Sequence, residues 1–185
     1  MSKLVDLVQG DAAALRLDTR LAGVNISVHG GQFTDAELVA YGARAPHIVL
    51  AALRGSLSLT GGAPWLDVFL CAVVLESDRP GAAGDRHTRG MALTDATLRA
   101  LARLETNVHD SSRPKDLDAR NAYAPAWDRK GLSCWVITWK QTVTLTDTTV
   151  WNDFRTLDTK YDLTPRDNGA PLGQVPEAED EQELA

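Results

Sequence analysis

Gly131 to Leu145 reads GLSCWVITWKQTVTL, and it follows directly on the polar, proline-broken segment Arg120 to Lys130, RNAYAPAWDRK. A run this rich in β-branched and aromatic residues predicts one long strand, which at about 3.4 Å per residue spans roughly 50 Å. Along its second half Trp139, Val143 and Leu145 share one parity while Thr138, Lys140, Thr142 and Thr144 share the other, so one face is apolar and the other polar. The first half is apolar at both parities, Trp135 and Ile137 alternating with Leu132, Cys134 and Val136, which predicts a mid-sheet position covered on both faces. Such a strand is longer than an ordinary domain needs. Buried at one end and free to project at the other, it points to a surface built for a neighbour.

Upstream of this strand the apolar positions Leu4, Leu7 or Val8, Ala12, Leu15 and Leu21 form one helical stripe, with Asp6, Asp11, Arg16 and Arg20 mostly off it. A short strand, Val24 to Val28, then ends at His29-Gly30-Gly31, and Thr34 with Glu37 makes a capping box that starts a second, short helix at Asp35 and stops it near Gly42. Pro46 opens HIVLAALRG and Pro64 opens WLDVFLCAVVLE, two strands that read as an antiparallel hairpin with a loose loop. Asp78 to Gly90 has a loop composition, and from Thr88 to Leu104 a second long helix is marked by Met91, Leu93 or Thr94, Leu98, Leu101 and Leu104. A further polar loop, Asn107 to Asp118, leads to an edge strand around Ala119 to Tyr123. The fold class is therefore α+β: a mixed, mainly antiparallel sheet packed with two longer helices.

The 185 residues are 44% hydrophobic and 24% charged, the composition of a soluble globular chain. The net charge of −6 is uneven, because ten acidic and three basic residues lie from Asp147 onward. This predicts a core domain over residues 1–146 and, over 147–185, a C-terminal arm and acidic tail ordered by contact with a partner or another subunit. Neither part is a basic nucleic-acid surface. The opening MSKLVDLVQGDAAALRL has too many charges for a signal peptide, and no apolar run approaches the roughly 20 residues that cross a bilayer. Cys71 and Cys134 both lie in apolar strand-like runs and read as inert buried thiols, a disulfide requiring that the two strands be neighbours.

Chemistry-bearing motifs are sparse. His29-Gly30-Gly31 is the kind of glycine loop that lines an oxyanion hole, but the G-x-S-x-G nucleophile elbow that accompanies it is absent. His29, His47, His87 and His109 never fall at metal-ligand spacing, and there is no phosphate-cradling G-x-x-x-x-G-K-S/T loop. No catalytic, cofactor-binding or metal-binding residue is assigned, and the chain reads as a non-enzyme without cofactor. Trp127 and Trp151 flank the long strand in polar sequence, where a large amphipathic ring suits an interface anchor.

The combination of GDRHTRGMALTDATLRALARL (84–104), PKDLDARNAYAPAWDRKGLSCWVITWKQTVTL (114–145) and FRTLDTKYDLTPRDNGAPLGQVPEAED (154–180) resembles the tail-completion proteins of Mu-like bacteriophages and prophages. The elements of the likeness are Arg89-Gly90 before a helix, Asn121 with Tyr123, Lys130-Gly131 opening a strand with Trp139 and Gln141, and Tyr161-Asp162-Leu163 with Pro165. The resemblance implies a lambda-type tail-terminator-like subunit, a structural virion protein that caps the tail tube as a hexameric ring, stops its polymerisation and forms the surface joining tail to head. It implies as partners further copies of the chain, the tail tube protein, the head–tail connector proteins and, as a further candidate, the sheath. DNA would pass through the lumen without specific binding, and no membrane would be involved. The protein would assemble in the host cytoplasm and reside at the neck end of the virion tail. A head–tail connector, or neck adaptor, is the alternative, and a small hydrolase using His29 or His87 a remote one. The interface candidates are Arg86, Arg89, Trp127, Trp139, Trp151, Phe154 and Tyr161.

Overall fold

The structure, a computed structural model, describes residues 2–31, 33–59, 63–105 and 111–145. The chain divides into two units, Met1–Thr146 and Asp147–Ala185, and all the described residues belong to the first. In chain order its elements are α1 (Lys3–Leu17), a 3₁₀ turn (Thr19–Leu21), β1 (Asn25–His29), α2 (Asp35–Gly42), β2 (His47–Ser58), β3 (Trp65–Ser77), α3 (Arg86–Ala102), β4 (Lys115–Asn121), the single turn α4 (Pro125–Asp128) and β5 (Leu132–Thr144).

The five strands form one mixed sheet in the order β1-β2-β3-β5-β4. Only β1 and β2 run parallel; the other pairings are antiparallel. The predicted long strand, β5, is an interior strand of this sheet. β5 pairs with β3 from Trp65↔Thr144 to Ser77↔Leu132 without a register break, and β4 closes its other side. Alternation along the strands sorts their side chains onto two faces. Val68, Leu70, Ala72 and Val74 of β3 and Ile137, Trp139 and Val143 of β5 join Leu7, Ala12 and Leu15 of α1 and Leu93, Ala100 and Leu101 of α3 in the main core. The opposite, far face carries a smaller cluster at one end only, where Val73, Leu75 and Cys134 meet Leu38, with Phe33, Tyr41, Val136 and Trp127 packed around it.

Helix boundaries follow local chemistry. Thr34 and Glu37 form the expected capping box in front of α2. α3 starts two residues earlier than its hydrophobic period indicates, because the Asp85 carboxylate caps it by accepting from the backbone N–H groups of His87 (2.9 Å) and Thr88 (3.0 Å). The Thr88 hydroxyl, donating to the same carboxylate at 2.6 Å, together with these backbone donors holds the Asp85 carboxyl down at about 2. β4 begins at Lys115 rather than Ala119, with a bulge between Lys115 and Asp118 and Asp116 at φ 54°. Its alternating charges hide it from a hydrophobic reading, since an edge strand has little apolar side to declare. The two cysteines sit on adjacent strands but are offset, Cys71 opposite Thr138 and Cys134 opposite Leu75, and both are free and buried. Burial pushes their thiols up, to about 11 for Cys71 and about 12 for Cys134.

Gly90 fixes how closely α3 approaches β5. A Cβ there would lie 2.7 Å from Ser133 Oγ and 3.4 Å from Ser133 Cβ. Gly90→Ala is therefore expected to destabilise the fold by about 1–2 kcal/mol despite alanine's better helix propensity. In a Ser133→Ala background the same change should be neutral or stabilising, as read by urea unfolding of the four proteins of the cycle.

Candidate interaction surface

The two ends of the sheet are finished differently. At the end where β3 runs into Ser77, charges are paired inside the subunit. Glu76 is buried, with Arg79 at 3.0 Å and Arg89 at 3.4 Å. Arg89 also donates to the carbonyls of Ser77 (2.8 Å) and Gly84. Arg86 donates to Asp78 at 2.6 Å and to Asp128, and His87 lies 3.3 Å from the same Asp128 carboxylate. The Arg86 guanidinium holds the Asp128 carboxyl below its ordinary range. These links tie the start of α3 to α4 and to the end of β3. The predicted interface residues Arg86 and Arg89 thus have their charges engaged at home.

Trp127 on α4 is half-buried against the smaller cluster, so it holds α4 on the sheet and leaves part of its ring accessible. Trp139 corrects the sequence reading: it is fully buried in the main core, with Nε1 donating to Gln141 Oε1 at 2.7 Å, and has no surface to offer a neighbour. The parity that makes Trp139 apolar-faced also turns it toward α1 and α3. Trp151, Phe154 and Tyr161 lie outside the described residues.

The other end of the sheet is bare on the far face. α2 and α4 stop short of it, and Arg54 and Ser56 of β2, Asp67 and Phe69 of β3, and Lys140 and Thr142 of β5 face an open groove of about 670 Å³ rimmed by Lys115 and Asp116. β2 is also unfinished along its length here. β1 pairs with it only from His47 to Ala51, a bulge follows at Leu53, and from there through Leu57 no strand among the described residues pairs with that edge. Leu53, Leu57 and Leu59 are 46%, 53% and 58% exposed along this stretch. An open edge bearing three exposed leucines is a template for pairing with another chain, and monomeric folds ordinarily blunt it. The opposite edge is blunted in that way, by Asp118 and Arg120 paired at 2.7 Å and by Asp116 paired with Lys140 at 2.9 Å.

Two buried polar groupings escaped the sequence reading. Ser27 Oγ lies 2.8 Å from His47 Nε2, and His47 Nδ1 is 3.2 Å from the Tyr41 carbonyl. Burial lowers the His47 pKa, so its neutral ring accepts the serine proton while Nδ1–H donates to the carbonyl. That is the connectivity of a nucleophile and its base, yet His47 is buried, and neither residue lines the far-face groove or the hollows beside Trp127 and beside Pro80. The histidines and carboxylates of the described residues form no group able to hold a metal ion. Nor is any helix among them long and apolar enough to cross a membrane. No family model matches the chain, and no curated protein matches it.

The second grouping centres on Asp11, which lies on the buried stripe of α1 and not off it. Its Oδ1 accepts from Gln141 Nε2 at 3.4 Å, Gln141 Nε2 also donates to the Ser112 carbonyl at 3.2 Å, and Asp11 Oδ2 has no partner among the described residues. Burial raises the Asp11 pKa from 3.8 to about 7, overriding the hydrogen bonds that favour the charged form. A carboxyl whose folded pKa is raised stabilises the fold fully below its unfolded value near 4 and loses that contribution as pH climbs through about 7. Stability is expected to fall by roughly 4 kcal/mol between pH 4 and 8 from this group alone. Asp11→Asn should flatten that slope and exceed the native chain in stability at pH 8, as measured by denaturant midpoints across the pH range.

Proposed function

We propose that this chain is a tail-terminator subunit of the Mu-like phage type, whose work is geometric rather than catalytic. A tail tube grows by a head-to-tail interface that does not close on itself, so a different protein must bind the growing end and present no further copy of that interface. Six copies closing into a ring on the last ring of the tube perform this task, and the opposite face of the ring then meets the head connector. Neither step requires a cofactor. The genome passes through the lumen, and the finished ring stays at the neck of the virion.

The observation that supports this reading is the asymmetry of the sheet. One end is sealed by α2, α4 and an internal ion network, while the other exposes the β2 edge from Leu53 to Leu57, with Leu53, Leu57 and Leu59 solvent-exposed along it and the bare groove on the far face. A ring subunit needs two unlike surfaces that meet when one copy is rotated onto the next. The blunted β4 side and the open β2 side are such a pair. A stable contact buries more than about 1,200 Å² in total, and the part of the sheet's far face that α2 and α4 leave bare provides area without cost to the core.

Purified chain is expected to form six-fold rings, or caps at one end of isolated tail tubes, in negative-stain images. Leu57→Glu should abolish rings and caps while leaving circular dichroism and melting temperature close to native, because Leu57 is more than half exposed in the subunit. A monomer that ignores tubes would overturn the proposal, and a ring of another symmetry that binds only the head side would replace it with the connector reading.

A further inference from the structure

The bare groove has a chemistry that matches one segment of this sequence. Lys140 is already held by Asp116 at 2.9 Å, and both oxygens of Asp67 are engaged, accepting from Thr142 Oγ1 (2.9 Å) and Trp65 Nε1 (3.3 Å). Arg54 donates only to the hydroxyl of Ser56, at 3.2 Å, and Lys115 has no carboxylate partner among the described residues. Three cations of the groove, Arg54, Lys115 and Lys140, thus face two carboxylates, Asp67 and Asp116, and the two cations without an ion-pair partner among the described residues, Arg54 and Lys115, lie on opposite sides of the partly exposed Phe69 ring. An arginine fork and a lysine ammonium placed in this way suit an extended run of carboxylates.

The sequence supplies such a run. Pro176 to Ala185, PEAEDEQELA, has acidic side chains at 177, 179, 180, 181 and 183 and no base. β5 delivers the chain toward it at the same end of the sheet as the groove, where the Leu145 N–H donates to the Pro64 carbonyl at 2.8 Å. The residues between Leu145 and Glu177 can span up to about 100 Å when extended, several times the width of a sheet and enough to reach a neighbouring subunit. The geometry points to the groove between Arg54 and Lys115 as the docking site for the acidic segment Glu177–Glu183 of an adjacent copy, strapping each subunit to the next. This rests on the ring reading above and names a contact within it. Charge attraction at an exposed groove is screened by salt, so the strap should weaken as ionic strength rises.

The test uses the full chain with one cysteine added per copy, Lys115→Cys in one tagged pool and Glu179→Cys in another, mixed under assembly conditions and mildly oxidised. The native Cys71 and Cys134 are buried and stay out of the reaction. A disulfide joining the two pools is expected, strong in low salt and several-fold weaker in 0.5 M salt. In parallel, Arg54→Glu with Lys115→Glu should weaken assembly at least tenfold. Adding Glu179→Lys, Asp180→Lys and Glu181→Lys to the same chain should recover most of the loss. Rings that form without the cross-link, or a charge reversal without effect, would each overturn the docking site while leaving the ring reading standing. A chain that forms no oligomer at all would overturn both.

Discussion

The unbroken antiparallel pairing of β3 with β5, thirteen residues on each strand, is the constraint on which the rest of the molecule depends. Because side chains alternate, that single register decides which residues meet α1 and α3 and which look the other way. A slip of one residue would carry Trp139 and Val143 out of the core and bring Lys140 and Thr142 into it. The pairing also runs past the helices that cover the far face. A sheet longer than its cover has a bare end by construction, and the interaction surface is a consequence of strand length before it is a matter of particular side chains.

The bare end is chemically distinct because the charges at the opposite end of the sheet are paired within the subunit. Glu76 would be costly in isolation in the core, but Arg79 and Arg89 neutralise it and the spare donors of Arg89 satisfy carbonyls at the start of α3. Asp11 takes the other course. It has an amide neighbour and no counter-charge among the described residues, so burial favours its protonated form. Its link through Gln141 to Trp139 and to Ser112 joins α1, β5 and the segment before β4, an arrangement that sets the position of α1 at some expense of stability.

Much of this architecture was legible because it is written in strong local signals. The Thr34–Glu37 capping box, the two prolines opening the hairpin strands and the parity of Thr138 to Leu145 each correspond to an observed element. Legibility failed where the deciding interaction joins distant positions. Asp11 reads as a surface charge until Gln141, far along the chain, is placed opposite it. Ser27 and His47 become neighbours only through the parallel pairing of β1 and β2. Trp139 reads equally as a core residue or an anchor, since its parity identifies a buried face without saying what buries it. The Arg89-Gly90 pair gained a physical meaning from the structure: the arginine neutralises Glu76 and the missing side chain lets α3 close on Ser133.

The central claim is that the projecting half of β2 is a subunit contact, and amide hydrogen exchange of the isolated chain and of assembled rings tests it most directly. In the isolated chain the amides of Leu53 to Leu57 that point away from β3 have no strand partner among the described residues and should exchange rapidly. Assembly is predicted to slow them by at least a hundredfold while the already protected amides of Ile48 to Ala51 change little. Equal exchange at Leu53 to Leu57 in the two states, with protection gained elsewhere, would contradict the account.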